Sequence, residues 1–185
     1  MNLRTRALLA FLPALCCLSA AGRAADLRTG HFTAMAVVDT GQGTRSLGLD
    51  IVVTRPLSID QAQPFKTALR DGGQQALLAL LRQNSSGSFR LGGLEYPINL
   101  IVAEPGSRGI DFVVVTARNF SYEETNEGRP SLDFPFAALV FTAPEVGTGE
   151  GTVYPQAALS IGDDGRVKVQ PFEGRTGRLK DVKRR

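Results

Sequence analysis

Residues 152 to 172 read Thr-Val-Tyr-Pro-Gln-Ala-Ala-Leu-Ser-Ile-Gly-Asp-Asp-Gly-Arg-Val-Lys-Val-Gln-Pro-Phe. Two apolar-rich runs, Thr152 to Ile161 and Arg166 to Phe172, flank Gly162-Asp163-Asp164-Gly165. Gly and Asp tolerate the positive φ of a tight reversal, so this stretch predicts a β-hairpin. Working outward, short alternating segments broken by Gly and Pro recur from Gly30 onward, the pattern of antiparallel strands. Phe32, Ala34, Ala36 and Val38 share one face of a first strand, and Leu47, Leu49, Ile51 and Val53 one face of a second, with residues 39 to 43 as their loop. Tyr96, Ile98, Leu100 and Val102 form a further period-two row, closed by a turn at Glu104-Pro105-Gly106. Ile110 to Thr116 and Phe134 to Phe141 are apolar on both faces, which predicts central strands covered on each side.

One segment follows another period. Phe65, Ala68, Leu69, Gly72, Gly73, Ala76, Leu77, Leu80 and Leu81 recur at spacings of three and four, as on one face of a helix. Ser58 and Gln61 have the spacing of a capping box, and Pro64 suits a first helical turn starting near Asp60 or Gln63. Two readings of Gly72-Gly73 follow. Either one helix continues through both, packing these structural glycines closely against the sheet, or two short helices meet there. About eight strands and one long helix make an α+β, mainly β domain: a curved antiparallel sheet or barrel with the helix packed on it. Periodicity alone leaves barrel and open sheet as alternatives.

The chain has 185 residues, with 21 basic and 18 acidic side chains. Arg4 and Arg6, the apolar run Ala7 to Ala21 and the small residues up to Ala25 have the order of a secretory signal peptide, residues 1–24. That run is shorter than the roughly 20 residues a helical span needs. The expectation is therefore a periplasmic or secreted domain, residues 25–185, with no membrane span once the leader is cleaved. Cleavage would remove Arg4, Arg6 and Arg23, leaving equal numbers of bases and acids, and it would remove Cys16 and Cys17, so that neither a disulfide nor a cysteine-bound metal remains. From Arg175 to Arg185 six bases stand against Asp181, a basic tail on an acidic body. No aromatic residues interleave with these bases as a nucleic-acid interface would want, so a nucleic-acid partner is not expected.

Chemistry is sparse. His31 is the single histidine, which leaves nucleophile relays and zinc sites short of parts, and no cofactor, metal or catalytic residue is assigned. The longest polar interval between apolar strands is the loop 118–133, and long loops on rigid strands often carry function. Within it Arg118, Tyr122, Glu123, Glu124 and Arg129 are the candidate ligand-binding residues. Asp133, between Leu132 and Phe134, is expected to be partly buried and structural, gripped by Arg118 or Arg129.

Residues 68 to 78, Thr116-Ala117-Arg118, residues 131 to 136 and Gly149-Glu150-Gly151 resemble a family of small exported bacterial proteins with no assigned activity. The resemblance runs from the helix to Arg178-Leu179 and implies an envelope or secreted location. The functional expectation is a non-catalytic domain that binds a small apolar molecule or an envelope partner. The alternatives are a carboxylate-dependent hydrolase built on the 118–133 loop and a purely structural envelope protein.

Overall fold

The computed structural model describes residues 28–40, 43–119, 133–163, 165 and 167–185. In chain order the elements are β1 (Gly30–Thr40), β2 (Gly43–Val53), α1 (Gln63–Arg82), β3 (Gly87–Leu91), β4 (Leu94–Ile98), β5 (Leu100–Pro105), β6 (Ile110–Thr116), β7 (Phe136–Ala143), β8 (Gly149–Ile161), β9 (Val167–Pro171), a 3-10 turn (Phe172–Gly174) and β10 (Gly177–Arg184). The strands pair antiparallel in the order β4-β3-β2-β1-β10-β8-β7-β6-β5, with β9 against β8. The two outermost strands, β4 and β5, are consecutive in the chain, so the sheet curls until its edges meet at Asn99. The architecture is a nearly closed antiparallel barrel with one helix on its outside.

The alternation read from β1 and β2 holds. Their register runs unbroken from Thr40 opposite Gly43 to Gly30 opposite Val53, and Phe32, Ala36, Leu49, Ile51 and Val53 are buried on the inner face. The expected hairpin between β8 and β9 also forms, with Ile161 opposite Val167 and the Gly165 amide donating to the Gly162 carbonyl at 2.8 Å. Every strand except β9 sends side chains into the barrel, which is filled rather than hollow. Phe32 and Phe112 meet edge to face at 5.1 Å, and Phe112 stacks on Phe141 at 4.9 Å, a geometry that aromatic quadrupoles favour.

The row Tyr96, Ile98, Leu100, Val102 does not share one face. Ile98 points into the barrel, whereas Leu100 and Val102 join the outer cluster beneath the helix. The chain turns a corner at Asn99, leaving β3 and joining β6. Asn99 is 9% exposed. Its Nδ2 donates to the carbonyls of Leu81 at 3.0 Å and Asn84 at 3.1 Å, and its Oδ1 accepts from the Ala117 amide at 2.7 Å. Its carbonyl accepts from Asn84 Nδ2 and Ser86 Oγ. One side chain thus ties the helix C-terminus, the barrel seam and the end of β6 together.

The basic run is no loose tail. Residues 177–184 are β10, an interior strand between β1 and β8, with Leu179 and Val182 buried. β8 is long enough to take two partners along one edge: Gly149 to Val153 pairs with β10, and Ala157 to Ile161 pairs with β9. The 3-10 turn carries the chain from one partner position to the next.

Candidate functional site

The outer face of the barrel is apolar where β5, β6, the start of β7 and the far half of β8 lie side by side. Leu100, Val102, Val115, Phe136 and Leu159 there pack with α1 into a second core. Two anchored ends set how the helix lies over it. At the near end, the Leu57 amide donates to the Ile101 carbonyl at 2.8 Å and the Leu57 carbonyl accepts from Ala103 at 2.9 Å, covering the open edge of β5. The Ile59 amide then donates to Glu104 Oε1 at 2.6 Å. Ser58 and Gln61 form the reciprocal box their spacing suggested, each amide held by the other's side chain at 2.9 and 3.3 Å, in the turn that precedes α1. At the far end, Leu77, Leu78 and Leu81 are buried, and Gln74 accepts from the Leu159 amide at 3.2 Å while donating to the Asp133 carbonyl at 3.4 Å.

Between these anchors the helix is broken. Gly73 has φ 66° and ψ −163°, a conformation essentially confined to glycine. The two-helix reading is therefore the right one. Both Gly72 and Gly73 are exposed, and beyond Gly73 nothing lies within 4 Å of where a Cβ would stand. The expected close contact of these glycines with the sheet is corrected: the role of Gly73 is conformational, and a side chain at Gly72 would meet Ala76 of the same element rather than a strand. Just before the break Arg70 and Asp71 pair at 2.8 Å, and the Arg70 hydrogen bond holds the exposed Asp71 carboxyl below the usual carboxylate range.

Because the first half of α1 bridges the sheet instead of sinking onto it, a groove of about 250 Å³ opens beneath it. Val102, Val113 and Val115 form its floor, Phe65, Leu69 and Leu77 its roof, and Leu159 and Val167 one wall. Lys66 supplies the charge in the lining, with Gln63 beside it on the same helical segment. Val113 is 37% exposed and Ile59, at the entrance, 61%, so apolar surface faces solvent in a concavity. That is the usual character of a small-molecule site, a mostly carbon lining with a few polar groups to orient the guest.

Of the loop residues nominated from the sequence, Arg118 is exposed at the loop's start, and Tyr122, Glu123, Glu124 and Arg129 lie outside the described residues. The stems are tied together: Thr116 Oγ1 bonds the Arg118 carbonyl and receives the Ala137 amide, and Asn119 Nδ2 donates to the Phe134 carbonyl at 2.8 Å. Asp133 is exposed, contrary to expectation. Its neighbours Pro135 and Phe136 take the buried positions, and Asp133 contributes its carbonyl, through Gln74, rather than its carboxylate.

A second, polar concavity of about 280 Å³ lies across β1 to β4 beside the end of β10, lined by His31, Asp50, Ser88, Arg90, Glu95 and Arg185 among others. His31 faces Asp50 at 3.5 Å and Arg90 faces Glu95 at 3.7 Å. Among the described residues no hydrogen bond joins Ser88 to His31; the concavity holds an exposed Arg90–Glu95 ion pair and a His31–Asp50 contact. Nor do three His, Cys, Asp or Glu side chains gather as a metal site among the described residues. No described helix is long and apolar enough to cross a membrane.

The chain matches no protein-family description, no curated protein and no solved structure.

Proposed function

We propose that this chain is an exported, non-catalytic binding domain that holds a small apolar molecule in the groove between the first half of α1 and the outer face of β5 and β6. The observation that carries the reading is the groove itself: a valine-lined floor, with Val113 more than a third exposed, beneath a helix that breaks at Gly73. The filled barrel interior leaves the ligand a place beside the sheet rather than inside it. The test uses N-phenyl-1-naphthylamine, an uncharged probe whose fluorescence rises in apolar surroundings. Saturable binding to the parent is expected. Val113→Arg, at a side chain already more than a third exposed, should weaken binding at least about tenfold through desolvation of the charge while leaving the melting temperature nearly unchanged. Equal probe affinity in parent and variant rejects the groove.

Export rests on the arrangement of Arg4, Arg6, the run Ala7 to Ala21 and the small residues after it. Intact-mass analysis of protein recovered from its own cells should find a chain starting at or near Ala25; a product retaining Cys16 and Cys17 removes that part of the reading.

A further inference from the structure

The geometry points to a second surface, independent of the groove: the outer face of β10 docks on an anionic lipid bilayer. Along β10 the buried side chains are Leu179 and Val182, three residues apart where a regular strand repeats every two. A β-bulge makes up the difference. From Lys180 to Lys183 the strand advances three residues while β1 advances two, from Met35 to Thr33, and from Leu179 to Val182 it advances three while β8 advances two, from Gly151 to Gly149. Asp181, inside the bulge, has φ 54°, an uncommon conformation for a residue other than glycine. In a strand of this sequence without the bulge, Lys183 would fall on the same side as Leu179. With it, Arg178, Lys180, Lys183 and Arg185 all lie exposed on the outward side, with Arg178 and Lys180 about 6.6 Å apart along the strand. Bulges commonly re-aim side chains at sites of use.

The surroundings compensate this charge only in part. Across the register the outward neighbours are Thr33, Met35 and Val37 on β1, which are uncharged, and Thr152 and Glu150 on β8, of which Glu150 is acidic. Nearby carboxylates are Asp181 itself, Glu150, which faces Arg108 at 3.9 Å, and Asp50 and Glu95, which share a concavity with Arg185 and face His31 and Arg90. Among the described residues none of the four outward cations is in an ion pair. A bilayer fits better than a soluble polyanion because Met35, directly opposite Lys180, is 40% exposed: an apolar side chain set among cations can enter the headgroup layer. Neither β1 nor β10 places a Phe, Tyr or Trp between these cations, so bases would find no ring among them to stack on.

The full chain is sedimented with vesicles of phosphatidylcholine alone and of phosphatidylcholine mixed with phosphatidylglycerol. Each cation near an anionic leaflet raises partitioning about fivefold, so binding should require phosphatidylglycerol and disappear near 1 M salt, where the screening length is about 3 Å. Lys180→Glu with Lys183→Glu should lower it by at least about 25-fold, and Lys180→Gln with Lys183→Gln by less, with circular dichroism confirming that each variant is folded. Adsorption through the apolar run Ala7 to Ala21 would ignore both lipid charge and substitution, and that result overturns the proposal. So does tighter binding to heparin or duplex DNA than to the anionic vesicles, which would make the occupant a polyanion, and so does no vesicle binding at all.

Discussion

Asn99 and Asp133 exchange roles between sequence and structure, and the reason is physical. A polar residue inside a period-two row reads as the solvent-facing member of a strand, so Asn99 drew no notice between Ile98 and Leu100. An acid flanked by apolar residues reads as half-buried, so Asp133 did. What distinguishes them is the direction the backbone takes, which alternation cannot convey: the chain turns at Asn99, and the turn buries its amide among backbone groups that need partners. Replacing it by alanine takes the side-chain partner from the Ala117 amide and the Asn84 carbonyl, while the Leu81 carbonyl keeps the Asn84 amide at 2.9 Å. A buried group left unsatisfied costs about 1–3 kcal/mol. Asn99→Ala should therefore cost at least about 2 kcal/mol, whereas Asp133→Ala, at an exposed side chain, should cost under about 0.5 kcal/mol. Urea titration of the two variants checks the ranking; the reverse order would restore Asp133 as the structural residue and discount the corner.

At the scale of elements, α1 was legible in its apolar spacing, and its anchored half obeys that spacing at Leu77, Leu78 and Leu81. The break was legible only as an alternative, because glycine at two adjacent positions is compatible with close packing and with positive φ alike. The two causes predict different responses. If packing made glycine necessary, alanine at Gly73 would clash with a neighbour, yet the space there is open. The cost of Gly73→Ala must come from the backbone, about 1–3 kcal/mol for forcing an L-residue into this region, against about 1 kcal/mol gained in helix propensity if the break straightens. The expected outcome is a net loss in melting temperature together with altered probe affinity in the groove, since the angle between the halves sets the roof. A variant with raised stability and unchanged probe binding would show that the break is incidental to the groove. β10 was illegible for a related reason: its buried residues are three apart because of the bulge, so neither the strand period nor the helix period registers, and six bases among eleven residues suggest solvent.

For the whole molecule, the decisive fact is that the last strand in sequence is a middle strand in space. β1 and β8 have no contact in the sheet except through β10, which pairs with both. Antiparallel alternation announces strands but not which of them are neighbours, and the choice between barrel and open sheet depended on this one long-range insertion. Removing β10 differs in kind from trimming a solvated tail. It would expose the facing edges of β1 and β8, with their unpaired amides and carbonyls, and uncover the core that Leu179 and Val182 complete. Open edges beside exposed apolar surface are templates for aggregation. A chain ending at Thr176 should accordingly lose its cooperative thermal transition and bind 1-anilinonaphthalene-8-sulfonate strongly, as loosened cores do, while the conservative change of Lys183 and Arg185 to glutamine, which keeps the strand and removes outward charge, should melt within a few degrees of the parent, since surface changes of this kind usually stay within about 0.5 kcal/mol each. If the truncated chain unfolds as cooperatively as the parent, β1 and β8 can close the barrel on their own, and the basic segment is an accessory to the fold rather than one of its staves.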